Sequence, residues 1–197
     1  MRVLVIGASG TIGQAVSELL HSDHEVLRVS RSTEIPIDIE DADSIRSALN
    51  RLSPREAIVV AAGSGPFRPL DELVEADFYA AIRGKLMGQV NVVRLAREAL
   101  HRGGSITLTA GILSHRPWPG SAPVAMVNGA LESFVRAAAL DREGHHRINA
   151  VSPPLIAETA AKRGMKAPGV PVRQVAELYL EAIFGDMTGQ VLTGSWS

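Results

Sequence analysis

No cysteine occurs anywhere in the 197 residues. Disulfide frameworks and thiolate metal sites are thereby excluded, and a reducing, cytoplasmic compartment is expected. An excess of either charge is also lacking: 20 Lys and Arg against 21 Asp and Glu leave a formal net charge of −1. Electrostatics therefore gives no reason to expect nucleic acid or an anionic membrane as a partner. No apolar run reaches the roughly 20 residues of a membrane-spanning helix. Apolar strand-like sequence already begins at Val3, so no signal peptide is expected. The six histidines follow no metal-ligand spacing, so no metal is expected. Adjacent His145 and His146 fall at an expected helix end, where solvated or dipole-facing histidines are common. Tyrosine is scarce as well, with only Tyr79 and Tyr179.

What the chain does have is a glycine loop. Val3 to Ile6 is an unbroken apolar run, as expected of a strand buried on both faces of a parallel sheet. Gly7, Gly10 and Gly13 follow, and then a helical apolar pattern of Ile12, Val16, Leu19 and Leu20. Strand, glycine turn and helix together form the context that gives such a motif meaning. Gly7 permits the tight turn, Gly10 lets a diphosphate touch the backbone, and Gly13 lets helix and strand pack closely. Ser9, Thr11 and Ile12 lie between them, at the positive end of the helix where phosphate oxygens meet N–H groups. A glycine-rich turn without a ligand is the alternative.

Alternating strand and helix patterns continue to the end. Strands are expected at Glu25–Val29, at Glu34–Asp38, at Ala57–Ala62, at Ile106–Ala110 and at Arg147–Val151. Helices are expected at Asp41–Leu52, Leu70–Ala81, Gly84–Leu100, Ala122–Arg142 and Val172–Phe184. The expected fold is a single Rossmann-type α/β domain over residues 1–197, a doubly wound parallel sheet in three α/β/α layers.

In such a sheet, the end of the second strand meets the adenosine ribose. An acid there would favour NAD. Here the segment reads Ser30-Arg31-Ser32, with Arg28 nearby. A guanidinium flanked by hydroxyls suits a 2′-phosphate, so NADP is expected over NAD. Solvated surface arginines are the alternative.

The Gly-x-x-Gly-x-x-Gly spacing resembles the short-chain dehydrogenase/reductase family. Leu86-Met-Gly-Gln-Val-Asn-Val-Val-Arg-Leu-Ala, Gly104-Ser-Ile-Thr-Leu-Thr and Ile148-Asn-Ala-Val-Ser-Pro153 extend that resemblance over nearly the whole chain. It implies that Asp38 and Ile39 contact adenine, although Asp38 would equally suit a helix N-terminus. It implies that Ala61, Ala62 and Gly63 lie against adenine and ribose, and that Pro153 lies under the nicotinamide. It also implies a small-molecule substrate, a lid within Leu155–Pro171, and a homodimer or homotetramer built through the helices Gly84–Leu100 and Ala122–Arg142.

The family's catalytic Ser, Tyr, Lys and Asn positions fall on Gly111, Val124, Asn128 and Lys85. Lys and Asn are thus exchanged between two helices. Lys85 and Asn128 are expected beside the nicotinamide, with Lys85 as the proton donor if burial lowers its pKa. An exposed helix lysine and a packing asparagine are the alternatives. Ser114 and His115, beyond the strand Ile106–Ala110, are further candidate donors, unless that loop is only a rigid surface turn. The expected function is an NADP-dependent oxidoreductase acting on a small carbonyl or alcohol with a non-standard catalytic set. An isomerase, dehydratase or cyclase on the same scaffold, or a non-catalytic NADP-binding sensor, would use the same cleft.

Overall fold

The computed structural model describes residues 1–52 and 55–194. The first strand, β1 (Arg2–Ile6), is apolar after Arg2 because both of its faces are covered. Leu4 and Ile6 point to one layer, Val3 and Val5 to the other. Helix α1 (Thr11–Leu20) follows, then β2 (Glu25–Val29), α2 (Ala42–Arg51) and β3 (Arg55–Val60). Next come α3 (Glu75–Ala81), a π-helical segment (Ile82–Met87) and α4 (Gly88–Leu95). The chain continues through β4 (Leu100–Thr109), α5 (Ala122–Asp141), β5 (Arg147–Val151), α6 (Ala157–Lys162), α7 (Val172–Phe184) and β6 (Val191–Leu192).

The six strands form one parallel sheet in the order β2-β1-β3-β4-β5-β6. One apolar layer joins Leu4, Ile6, Ile58 and Leu108 to Ile45 and Leu49 of α2, Val92 of α4, and Leu131 and Val135 of α5. The opposite layer joins Val3, Val5 and Val59 to Val16 and Leu20 of α1 and to Val175 and Ile183 of α7. The doubly wound sheet is thus as expected, and its reversal of strand order beside β1 opens a crevice at the strands' carboxyl ends.

Three expected elements differ. The helix expected over Leu70–Ala81 begins only at Glu75, after a short 3-10 turn at Leu70–Glu72. Glu34–Asp38 is not a strand; the segment is irregular, and β2 is the sheet edge. Pro36 has no N–H for a ladder, and local bonds take its place. Ile37 N–H donates to the Ser30 carbonyl, and Asp38 N–H donates to Ser44 Oγ at 2.9 Å. The long helix expected over Gly84–Leu100 stops at Leu95. Ala99 N–H turns back onto the Ala96 carbonyl, and Leu100 opens β4 opposite Arg55. Ala96, Ala99 and Leu100 are all buried, so the apolar spacing ran on past the helix end.

Candidate active site

At the carboxyl ends of β1, β2 and β3 lies a cavity of about 420 Å³. Gly7, Ser9, Gly10, Ser30, Arg31, Ser32, Asp38, Ile39, Ala61, Ala62 and Gly63 all line it. Gly7 turns at φ +84°, and a Cβ there would meet the Ala61 carbonyl oxygen at 2.6 Å. Gly13 is off the wall: a Cβ on it would run into the Gly7 carbonyl, so it sets the fit of α1 on the turn. Thr11 and Ile12 are also off the wall. Thr11 Oγ1 lies 3.3 Å from Lys162 Nζ, and Ile12 packs into the α1/α7 layer.

This cavity suits a diphosphate and its nucleoside. Gly10, on the cavity wall, is the N-cap of α1, and no side chain caps it. Beside exposed Arg31, Ser30 Oγ and Ser32 Oγ lie 3.2 Å apart and form a small hydroxyl pair. Asp38 is not the cap of α2; Asp41 takes that place by accepting from Asp43 N–H at 2.9 Å. Asp38 instead keeps its carboxylate at the cavity and accepts Glu40 N–H at 3.0 Å.

A second cavity, about 450 Å³, adjoins the first at Gly63 and Ser64. Phe67, Trp118, Val124, Leu155, Ile156 and Met165 make most of its wall apolar. Its floor is the chain leaving β4, and side chains from three successive helical stretches hold that chain. Gln89 of α4 brackets Thr109, donating to its carbonyl at 2.9 Å and accepting its N–H at 2.8 Å. Lys85 Nζ donates to the Ala110 carbonyl at 2.8 Å. Asn128 Nδ2 of α5 donates to the Gly111 carbonyl at 3.1 Å. A Cβ on Gly111 would meet that Nδ2 at 2.7 Å, so the asparagine occupies the space a side chain there would need.

Lys85 and Asn128 thus both line the same cavity, and both are buried. Lys85 is 8% exposed, and desolvation pushes its ammonium down to about pKa 8. The π-helical segment carries it; Gly88 N–H reaches back five residues to the Arg83 carbonyl, and such irregular turns often place functional side chains. Among the described residues Asn128 Oδ1 has no hydrogen-bond partner, which leaves a buried acceptor beside the cavity. Pro153 lines the cavity as well, and its carbonyl accepts Ile112 N–H at 2.9 Å.

Ser114 and His115 turn elsewhere. Ser114 Oγ lies 2.8 Å from Glu132 Oε1, and His115 Nε2 lies 2.7 Å from Glu132 Oε2. Ser152 Oγ donates to the same carboxylate at 2.8 Å and accepts Gly111 N–H at 3.2 Å. Glu132, 3% exposed, therefore ties the loop after β4 to the chain leaving β5. Neither Ser114 nor His115 lines the second cavity. Sequence reasoning passed over Glu132, although the signal was there: an acid on the buried stripe of α5 with Asn128, Leu131 and Val135. The two tyrosines stand apart from the cavity. Tyr79 is exposed, and Tyr179 is fully buried with its hydroxyl 2.7 Å from Thr109 Oγ1, where burial raises its pKa.

Glycine turn, uncapped helix start and cleft at the strand-order reversal define a dinucleotide-binding α/β protein of Rossmann type. Comparison with known proteins narrows the class. A family model described as Enoyl-(Acyl carrier protein) reductase matches residues 7–180. The chain belongs to the short-chain dehydrogenase/reductase family. Pig (Sus scrofa) Carbonyl reductase [NADPH] 2 is 27% identical over 175 residues, covering 79% of this chain and 72% of that protein. The crystal structure of lin1944 from Listeria innocua superposes with a TM-score of 0.94 at 37% identity, covering 99% of this chain and all of that one. A small-chain dehydrogenase in complex with NADPH superposes at 0.87 with 26% identity, covering 99% of this chain and 96% of that one.

Proposed function

We propose that this chain is an NADP(H)-dependent oxidoreductase of the short-chain type that acts on a small carbonyl or alcohol, with Lys85 and Asn128 in place of the usual catalytic set. One observation carries the proposal: a glycine-built cleft and an apolar cavity meet at Gly63 and Ser64, with a buried lysine on the wall of the second. The relatives that carry NADPH in their names, and the absence of an acid in Ser30-Arg31-Ser32, support NADP over NAD.

The dinucleotide supplies or accepts the hydride. Gly7 and Gly10 let the diphosphate approach, and the start of α1 holds it. Arg31, with Ser30 and Ser32, binds the 2′-phosphate. Asp38, Ile39, Ala61, Ala62 and Gly63 bound the adenosine, and Pro153 bounds the nicotinamide end. Lys85 donates a proton or hydrogen bond to the substrate oxygen, because its depressed pKa suits proton exchange near neutrality. Asn128 presents its unpartnered Oδ1 to a ligand donor. Ser114 and His115 hold the loop through Glu132 rather than donate to substrate. Exposed Tyr79, Met87 and Met126, on α3, the π-helical segment and α5, suit burial in a homodimer or homotetramer. Among the described residues no helix is long and apolar enough to cross a membrane.

Calorimetry with NADPH and NADH, followed by nicotinamide absorbance with a panel of aldehydes, ketones and alcohols, tests this. Tight NADPH binding and substrate-dependent absorbance change are expected; absence of affinity for either dinucleotide would overturn it. A non-redox enzyme or an NADP-binding sensor is the second reading, favoured by the lack of any tyrosine on the second cavity's wall. NADPH binding with no absorbance change across the panel selects it.

A further inference from the structure

Only three lysines stand among the 20 basic residues: Lys85, Lys162 and Lys166. Lys162 and Lys166 are exposed, whereas Lys85 is buried on the wall of the apolar cavity. Its stem packs against Gly63, where a Cβ would meet Lys85 Cγ at 2.9 Å. Its nitrogen meets a backbone carbonyl and, among the described residues, no carboxylate. Nearby Glu40 pairs with Arg83 at 2.9 Å, and Glu132 faces Ser114, Ser152 and His115. A neutral amine here uses one N–H on the Ala110 carbonyl and keeps its lone pair, in a cavity with Phe67, Trp118, Val124 and Leu155 on its wall. Desolvated lysines of this kind serve as nucleophiles toward carbonyl carbon.

We propose that Lys85 forms a reversible imine with aldehydes and ketones of apolar body that enter this cavity, an activity that needs no dinucleotide. The nitrogen lone pair attacks the carbonyl carbon, and the C=O π pair moves to oxygen. The proton released by nitrogen goes to that oxygen, giving a carbinolamine. Its hydroxyl then leaves with a second nitrogen-derived proton as water, and C=N forms. No oxidant or reductant is consumed. The inference shares with the proposed function the assignment of this cavity to a carbonyl ligand, and is independent of nucleotide binding.

The test uses the full chain without nucleotide, incubated with benzaldehyde and cyanoborohydride, which reduces the imine to a stable benzyl amine. Intact mass and peptide mapping then locate the label. Lys85 is expected to be labelled with saturation in benzaldehyde. At neutral pH its rate should exceed those of Lys162 and Lys166 by at least about tenfold, because a larger fraction of it is neutral. Benzyl alcohol, which fills the same cavity without forming an imine, should suppress labelling at Lys85 alone. Lys85→Arg should lose that label and keep the slow labelling of the other two. Labelling spread evenly over Lys162, Lys166 and the α-amino group, linear in benzaldehyde and indifferent to benzyl alcohol, overturns the proposal. Because the benzyl alcohol arm uses the unaltered protein, a misfolded variant does not decide the matter. NADPH calorimetry separates the two claims: binding without trapping sinks only the imine, and trapping without binding sinks only the dinucleotide.

Discussion

The two adjoining cavities are nearly equal in size, about 420 and 450 Å³, yet they are built by different means. The first is mostly backbone: a glycine turn, an uncapped helix start and the ends of three strands. The second is side chain, with an apolar wall over a floor pinned by Gln89, Lys85 and Asn128. Backbone recognition is set by the fold and tolerates little change. Side-chain recognition can be exchanged residue by residue while the scaffold stands, which is how one fold hosts different chemistries.

Substitutions should separate the two cavities, and the largest effect belongs to the first. Gly13→Val drives a side chain into the Gly7 carbonyl. It should cost on the order of 4 kcal/mol or more of stability and abolish NADPH binding, as thermal melts and calorimetry would show. A soluble variant with unchanged affinity would break the backbone account. Lys85→Met should lower turnover of a carbonyl substrate by about 10²–10⁴ while NADPH affinity changes only a few-fold. Steady-state kinetics beside calorimetry would show that split, and a parallel loss of both would merge the two cavities into one unit.

Lys85 also predicts a pH dependence. Its pKa in the folded chain, about 8, lies below the ordinary 10.5. Between those values the unfolded chain binds more protons, so this residue's contribution to stability rises as pH increases from 8 to 10.5. Below pH 8 burying the charge costs on the order of 3 kcal/mol. Any stability that Lys85→Met holds over the parent at pH 7 should shrink by about that much by pH 10.5, measured by denaturant titration. A constant difference would mean that the amine is solvated. The smallest effect is expected at the rim of the first cavity. Arg31→Ala should weaken NADPH about 10- to 30-fold and leave NADH unchanged, the loss of one or two charge-assisted hydrogen bonds.

What was legible in the sequence follows the same division. Gly7, Gly10 and Gly13 announce the first cleft because their spacing is dictated by backbone geometry, and Ser30-Arg31-Ser32 follows from the end of β2. The segment Glu34–Asp38 misled because Ile35 and Ile37 alternate like a strand, while Pro36 and a short reach back to Ser30 prevent a ladder. The end of α4 misled because Leu100 is as apolar as the helix before it. In the second cavity Lys85 and Asn128 were found only through their positions in a family pattern. Ser114 and His115 were placed in the right loop, but the direction of their side chains depends on Glu132, a partner 17 or 18 positions away.

The π-helical segment Ile82–Met87 has a consequence for how this site tolerates change. Its backbone bonds span five residues where four suffice, so the stretch carries one residue of slack. Deleting a single residue there would let an ordinary helix close over the gap, with the chain otherwise intact. The flanking turns would keep their faces, because the missing residue comes out of the slack, while within the segment the ammonium would be aimed away from the floor it now secures. Length itself is thus a control on the chemistry: one codon fewer would leave a well-formed shell around a silent chamber.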